Sequence, residues 1–123
     1  MKIWIIIIAV FVAATLGFVI WAIPPHFVQQ IGLPKTARDL PANFKQAELE
    51  FDNRVRSQYE EGTSEVDLVS KLEKDGFKTD INNKTGGVSR NGFPCALKWW
   101  ITWKTSASGD VTELSGHYGG VCL

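Results

Sequence analysis

The sequence predicts an α+β protein in which an amino-terminal transmembrane helix is followed by two helices packed on a three-stranded antiparallel sheet, in the order α-α-β-β-β. Three observations predict it. Ile3 to Ile23 is an uncharged apolar run, residues 43–76 hold two segments with apolar side chains at three-to-four spacing, and Cys95 to Cys122 alternates with period two around a turn. Of 123 residues, roughly 80 are left for a folded domain, enough for one small core.

The 21 residues from Ile3 to Ile23 would span roughly 31 Å as a helix at about 1.5 Å per residue, close to the thickness of a hydrocarbon core. Trp4 and Trp21 stand near its ends, where indoles favour the headgroup level, and Pro24-Pro25 stops the helix. A cleaved secretory signal would have a shorter apolar region, about 7 to 15 residues, and a small-x-small cleavage site. Ala22-Ile23-Pro24-Pro25 is a poor match, so residues 1–23 read as an uncleaved signal anchor. No cysteine follows the run, which excludes a lipid-modified amino terminus by residue type. Lys2 and the amino terminus favour the cytoplasmic side. The expected placement is therefore single-pass in the inner membrane, with the amino terminus cytoplasmic and the carboxy-terminal domain periplasmic. Ala9, Ala13 and Gly17 recur every four residues, a stripe along which another membrane helix can approach.

Residues 24–42 contain Pro24, Pro25, Pro34 and Pro41 and read as a tether. His26 falls within it, and Phe27, Val28, Ile31 and Leu33 make it less polar than a free linker. Asn43 followed by Gln46 is a capping-box pattern that opens a helix running to about Glu60, with Phe44, Ala47, Phe51, Val55 and Tyr59 along one side. Gly62 breaks it. Thr63 or Ser64 caps a second helix, whose acidic first turn at Glu65 and Asp67 suits the helix dipole. Its buried stripe reads as Val66, Val69 and Leu72 with Leu68 beside it, and Gly76 ends it, letting Phe77 fold back on Leu72.

Phe77, Thr79 and Ile81 alternate as a short strand. Residues 82–94, with Gly86-Gly87 and Asn91-Gly92, read as a loop or a ragged turn. The last stretch is a hairpin turning at Ser108-Gly109-Asp110. Placing Cys95 opposite Cys122 pairs Leu97 with Gly120, Trp99 with Tyr118, Ile101 with Gly116 and Trp103 with Leu114. That register puts apolar groups together and glycines beside bulky residues. One core results, of Phe51, Val55, Val69, Leu72, Phe77, Trp99, Ile101 and Trp103. The two cysteines, without a second Cys or a His at ligand spacing, read as one disulfide and not as a metal site.

Thirteen basic residues balance thirteen acidic ones, which leaves no electrostatic footprint for nucleic acid. Groups for catalysis are few: no phosphate-binding loop, no metal-ligand spacing, and the adjacent carboxylates of Glu60 and Glu61 read as a charged turn. No enzyme activity, cofactor, metal or small-molecule substrate is expected. The informative residue is Trp100. Alternation sends Trp99 and Trp103 inward, leaving Trp100 on the other face among Lys98, Thr102, Lys104, Glu113, Ser115 and His117. It is either an exposed anchor for a partner or covered by the tether or by 82–94.

The helix pair opened by Gly62-Thr63-Ser64, with Val66, Val69 and Leu72 and then Gly76-Phe77 leading into a sheet, resembles the BamE (SmpA/OmlA) type of small envelope domain. The likeness covers about Phe44 to Leu123. It implies two helices before a three-stranded sheet and a role in binding or assembly at the cell envelope. BamE itself is a lipoprotein of the outer-membrane barrel assembly machine, whereas this chain has no lipidation cysteine and adds Cys95 and Cys122. The arrangement also resembles the repeat unit of beta-lactamase inhibitor proteins, which implies a binding surface without substrate chemistry. The expected function is a membrane-anchored, extracytoplasmic, non-catalytic protein-binding or envelope assembly module. The alternative is a structural accessory subunit of a larger membrane complex, joined through Ala9, Ala13 and Gly17.

Overall fold

A computed structural model describes residues 1–22 and 30–123, the side chains at 19–22 excepted. The indole of Trp21, and Pro24, Pro25, His26, Phe27 and Val28 of the expected tether, lie outside the described residues. The chain divides into two units, Met1–Ile31 and Gly32–Leu123.

In the first unit, Lys2–Ala22 forms helix α1. Ala9, Ala13 and Gly17 are exposed on it, and a methyl group added at Gly17 would meet nothing within 4 Å. The expected membrane span is corrected: among the described residues, no helix is long and apolar enough to cross a membrane. This finding overturns the transmembrane part of the expected fold and the single-pass inner-membrane placement drawn from it.

The second unit is two helices on one side of a four-stranded antiparallel sheet. Its first residues belong to the body of the fold. Leu33 and Ala37 are buried in the core, and a short 3-10 turn, Lys35–Ala37, leads on to helix α2, Phe44–Gln58. Arg54 Nη1 on α2 donates to the Arg38 carbonyl, and Arg38 Nε donates to that of Leu33 at 2.8 Å. Asn43 caps α2 by accepting from the Gln46 N–H at 3.1 Å. Helix α3, Glu65–Asp75, is capped by Ser64, whose hydroxyl accepts from the Asp67 N–H at 3.2 Å. It ends at Gly76, where φ of 103° requires glycine, and the Phe77 N–H reaches back to the Leu72 carbonyl at 3.0 Å.

The buried side of α3 is Leu68, Val69 and Leu72, whereas Val66 is 78% exposed. The helix is rotated from the expected stripe so that Glu65 joins the buried side. Its Oε1 accepts from Trp103 Nε1 at 2.8 Å and from Lys84 Nζ at 2.6 Å. These hydrogen bonds, Lys84 first and then Trp103, hold the Glu65 carboxyl below the usual carboxylate range. Since the folded state favours the ionised form, the stabilisation is complete above the unfolded value, about 4.3, and is lost as pH falls through the lower folded value. Glu65→Ala leaves the buried Trp103 N–H without its acceptor and is expected to cost about 1 to 3 kcal/mol. Thermal melts across the acid range should show the wild-type advantage shrinking as pH falls.

Strands β1 (Lys78–Asp80), β2 (Thr85–Arg90), β3 (Cys95–Thr105) and β4 (Val111–Cys122) pair in sequence order. The expected three-stranded sheet is thereby corrected to four, because 82–94 is not a loop but contains β2. Gly86-Gly87 does not break the chain there; the two glycines let neighbouring groups come close. A Cβ at Gly86 would touch Leu72 and Thr79 at 3.4 Å, and one at Gly87 would lie 3.1 Å from the Trp99 carbonyl oxygen. Ile81, expected in the strand, lies in the turn before β2 and is 53% exposed.

The β3–β4 register pairs Cys95 with Cys122, Leu97 with Gly120, Trp99 with Tyr118, Ile101 with Gly116 and Trp103 with Leu114. Cys95 and Cys122 form a disulfide. All eight residues of the expected core are buried, joined by Tyr59, Leu68, Val111 and Leu114. Burial, with the Asp75 carboxylate that accepts its proton, pushes the Tyr59 hydroxyl far above the usual phenol range. Helix α2 rests directly on β4 at Gly116, whose N–H donates to Asp52 Oδ1 at 2.7 Å. A Cβ at Gly116 would sit 3.0 Å from both Asp52 Cα and Val55 Cγ2. Gly116→Ala must push the helix off the sheet, and is expected to cost about 1 to 3 kcal/mol in chemical denaturation.

Candidate functional site

Period-two alternation puts Trp99, Ile101 and Trp103 against the helices and turns Lys98, Trp100, Thr102 and Lys104 to the opposite face of the sheet. Register then builds a row across four strands: Lys78 of β1, Gly87 of β2, Trp100 of β3 and His117 of β4. Trp100 is half-buried and stacks on His117, with ring centroids 5.3 Å apart and planes 19° apart. Lys98 Nζ lies 5.4 Å from the Trp100 ring centroid, within cation–π reach. Thr102 Oγ1 is 3.0 Å from His117 Nε2, and the Glu48 carboxylate of α2 comes to 3.8 Å from His117 Nδ1.

Glycines on both neighbouring strands make room for the indole. A Cβ at Gly87 would lie 3.4 Å from Trp100 Cβ, and one at Gly119 would lie 3.7 Å from the far edge of the indole. The far edge of the ring thus lies over backbone at Gly119 while its face stacks on His117, and Gly87 leaves open space beside its Cβ.

Of the residues expected on this face, Lys98, Trp100, Thr102 and His117 are brought together. Lys104 and Glu113 pair with each other at 2.8 Å, four residues along the strand from Trp100, or about 13 Å. Lys104 holds the Glu113 carboxyl below its usual range. They form a separate exposed ion pair, worth little to stability. Among the described residues, no part of the expected tether stands in this row, and the segment 82–94 contributes to it through β2, which extends the face instead of capping it.

Sequence reasoning misses the contributions of Lys78, Gly87 and Glu48. For the first two, the signal was present in Thr85 to Arg90, a short run between Asn82-Asn83 and Asn91-Gly92 with β-branched residues at Thr85 and Val88. Glu48 reaches His117 only through packing of α2 on β4, which no local pattern encodes. Among the described residues, no group of three or more His, Cys, Asp or Glu side chains could hold a metal ion. Both cysteines are committed to the bridge. Compared with known proteins, the chain matches no family model, and no curated protein or solved structure is similar to it.

Proposed function

We propose that the unit Gly32–Leu123 is a non-catalytic protein-binding module that engages its partner through the outer face of the sheet. The observation that carries the reading is Trp100. A large aromatic side chain, levelled by glycines on both neighbouring strands, sits at the middle of the sheet face opposite the two helices. Tryptophan is among the residues most enriched at the hot spots of protein interfaces. His117 is held in this surface by its stacking on Trp100 and by Thr102 Oγ1. The resemblance of the helix pair to BamE-type domains points the same way, with Ser64 of Gly62-Thr63-Ser64 as the cap and Gly76 as the stop. The fourth strand and the Cys95–Cys122 bridge set this chain apart from that type. A structural disulfide persists in oxidising surroundings, which is where such a module would meet its partner.

Trp100→Ala tests the reading. Its melting should stay within about 1 kcal/mol of wild type, the worth of a stacked surface ring. Its capture of crosslinkable partners should weaken by about 2 kcal/mol, near thirtyfold. Undiminished capture by the folded variant would remove the outer face as the binding surface.

A further inference from the structure

Where β1, β2 and β3 meet, a cleft of about 400 Å³ opens beside Trp100, with Lys78 and Lys98 as its outward cations together with Thr85 and Ser89, while Arg90, opposite Leu97, turns its guanidinium to the other side, against Gly32. No carboxylate lines it. That is a local excess of positive charge in a chain whose thirteen basic and thirteen acidic residues cancel. The nearest acid on this face along β1, Asp80, is occupied by Asn83, which donates its backbone N–H at 3.1 Å and its side-chain amide at 2.7 Å. Other lysines near the sheet are neutralised: Lys84 pairs with Glu65 at 2.6 Å and Lys104 with Glu113 at 2.8 Å. Lys78 and Lys98 have no ion-pair partner among the described residues.

Resting on the protein-binding reading above, we propose that the segment of the partner seated here is an extended acidic peptide, with carboxylates on either side of an apolar residue that lies against Trp100. The spacing supports a peptide over a single small anion. Lys78 and Lys98 are two strands and two residues apart, so their Cα atoms are separated by roughly 12 Å at about 4.8 Å per strand and 3.3 Å per residue. One carboxylate does not bridge that gap, whereas side chains at i and i+4 of an extended chain, about 13 Å apart, match it. Trp100 stands at the corner of the triangle the three residues make, about 7 Å along β3 from Lys98 and about 10 Å across the strands from Lys78, and offers its ring to the intervening apolar side chain. The open, unneutralised lysines would speed encounter with such a segment and make binding sensitive to salt.

The test is to pan a displayed library of random short peptides against the full chain, the double variant Lys78→Glu/Lys98→Glu, and Trp100→Ala, with unchanged circular dichroism as the check on folding. Peptides enriched on the wild type should carry an excess of Asp and Glu flanking an apolar residue. The double variant should lose that excess and bind the best acidic peptide about tenfold or more weakly. Enriched peptides that depend on Trp100 but show no acidic excess would overturn this inference and leave the protein-binding reading standing. An acidic excess that persists on the double variant would also overturn it, and binding indifferent to both Trp100 and the lysines would overturn both.

Discussion

Replacing Trp99 by alanine is expected to cost about 3 to 5 kcal/mol, most of the stability of a domain that, at its size, holds roughly 5 to 13 kcal/mol. Trp99 is only 4% exposed and its ring lies 5.3 Å from that of Tyr118, which in turn stacks on Phe44 at 5.5 Å. Truncation therefore empties the site where the first turn of α2 meets the hairpin. Gly120, opposite Leu97, already places its backbone where a Cβ would come 3.1 Å from the Phe44 ring, so the backbone there has little freedom to move in and fill a void. One detail sharpens the expectation. The Trp99 Nε1–H is buried without an acceptor among the described residues, so Trp99→Phe removes an unpaired polar group along with part of the ring. It should cost clearly less than alanine, and guanidinium titrations of the two variants would show the difference.

Cys122→Ser is expected to have the next largest effect. The bridge joins residues 27 apart in sequence, and releasing a loop of that size costs roughly 3 to 4 kcal/mol in the chain-entropy account. The loss should appear as a lowered melting temperature under non-reducing conditions, and reduction of the wild type should reproduce it. Because the bridge closes the open end of the hairpin, fraying should begin at the exposed segment from Gly120 to Leu123. Amide exchange there should rise before exchange in the Trp99 to Trp103 stretch. Equal exchange at both places would mean that the bridge acts on the whole sheet at once.

Much of the folded unit is legible in the sequence because its signals are local. Asn43 and Ser64 announce helix starts, Gly76 announces a stop, and strict alternation from Leu97 to Trp103 sorts core from surface. Hairpin register follows from matching glycines to bulky partners, which is why Gly116 and Gly120 could be paired correctly from residues alone. Three things were not legible, each for a physical reason. Strand β2 is disguised by Gly86 and Gly87, whose lack of side chains signals a turn but here accommodates Leu72 on one face and Trp100 on the other. The phase of α3 is set by a polar contact, Glu65 to Trp103 and Lys84, that hydrophobic spacing cannot see. The start of the folded unit at Gly32 is hidden by prolines that suggest a tether, although Leu33 and Ala37 enter the core. The candidate site was half visible: alternation turned Lys98, Trp100 and His117 outward, but Lys78 comes from β1 and joins the row only through β2, the strand that was missed.

The central claim is that the helix-free face of the sheet meets a protein partner. Site-specific photocrosslinking tests it most directly, with a photoreactive amino acid placed at Thr102, on that face beside His117, or at Val66, on α3 and 78% exposed. Irradiation in the protein's native surroundings should give a discrete adduct with another protein from position 102 and none from position 66. An adduct from 66 with none from 102 would contradict the account and move the interface to the helical side.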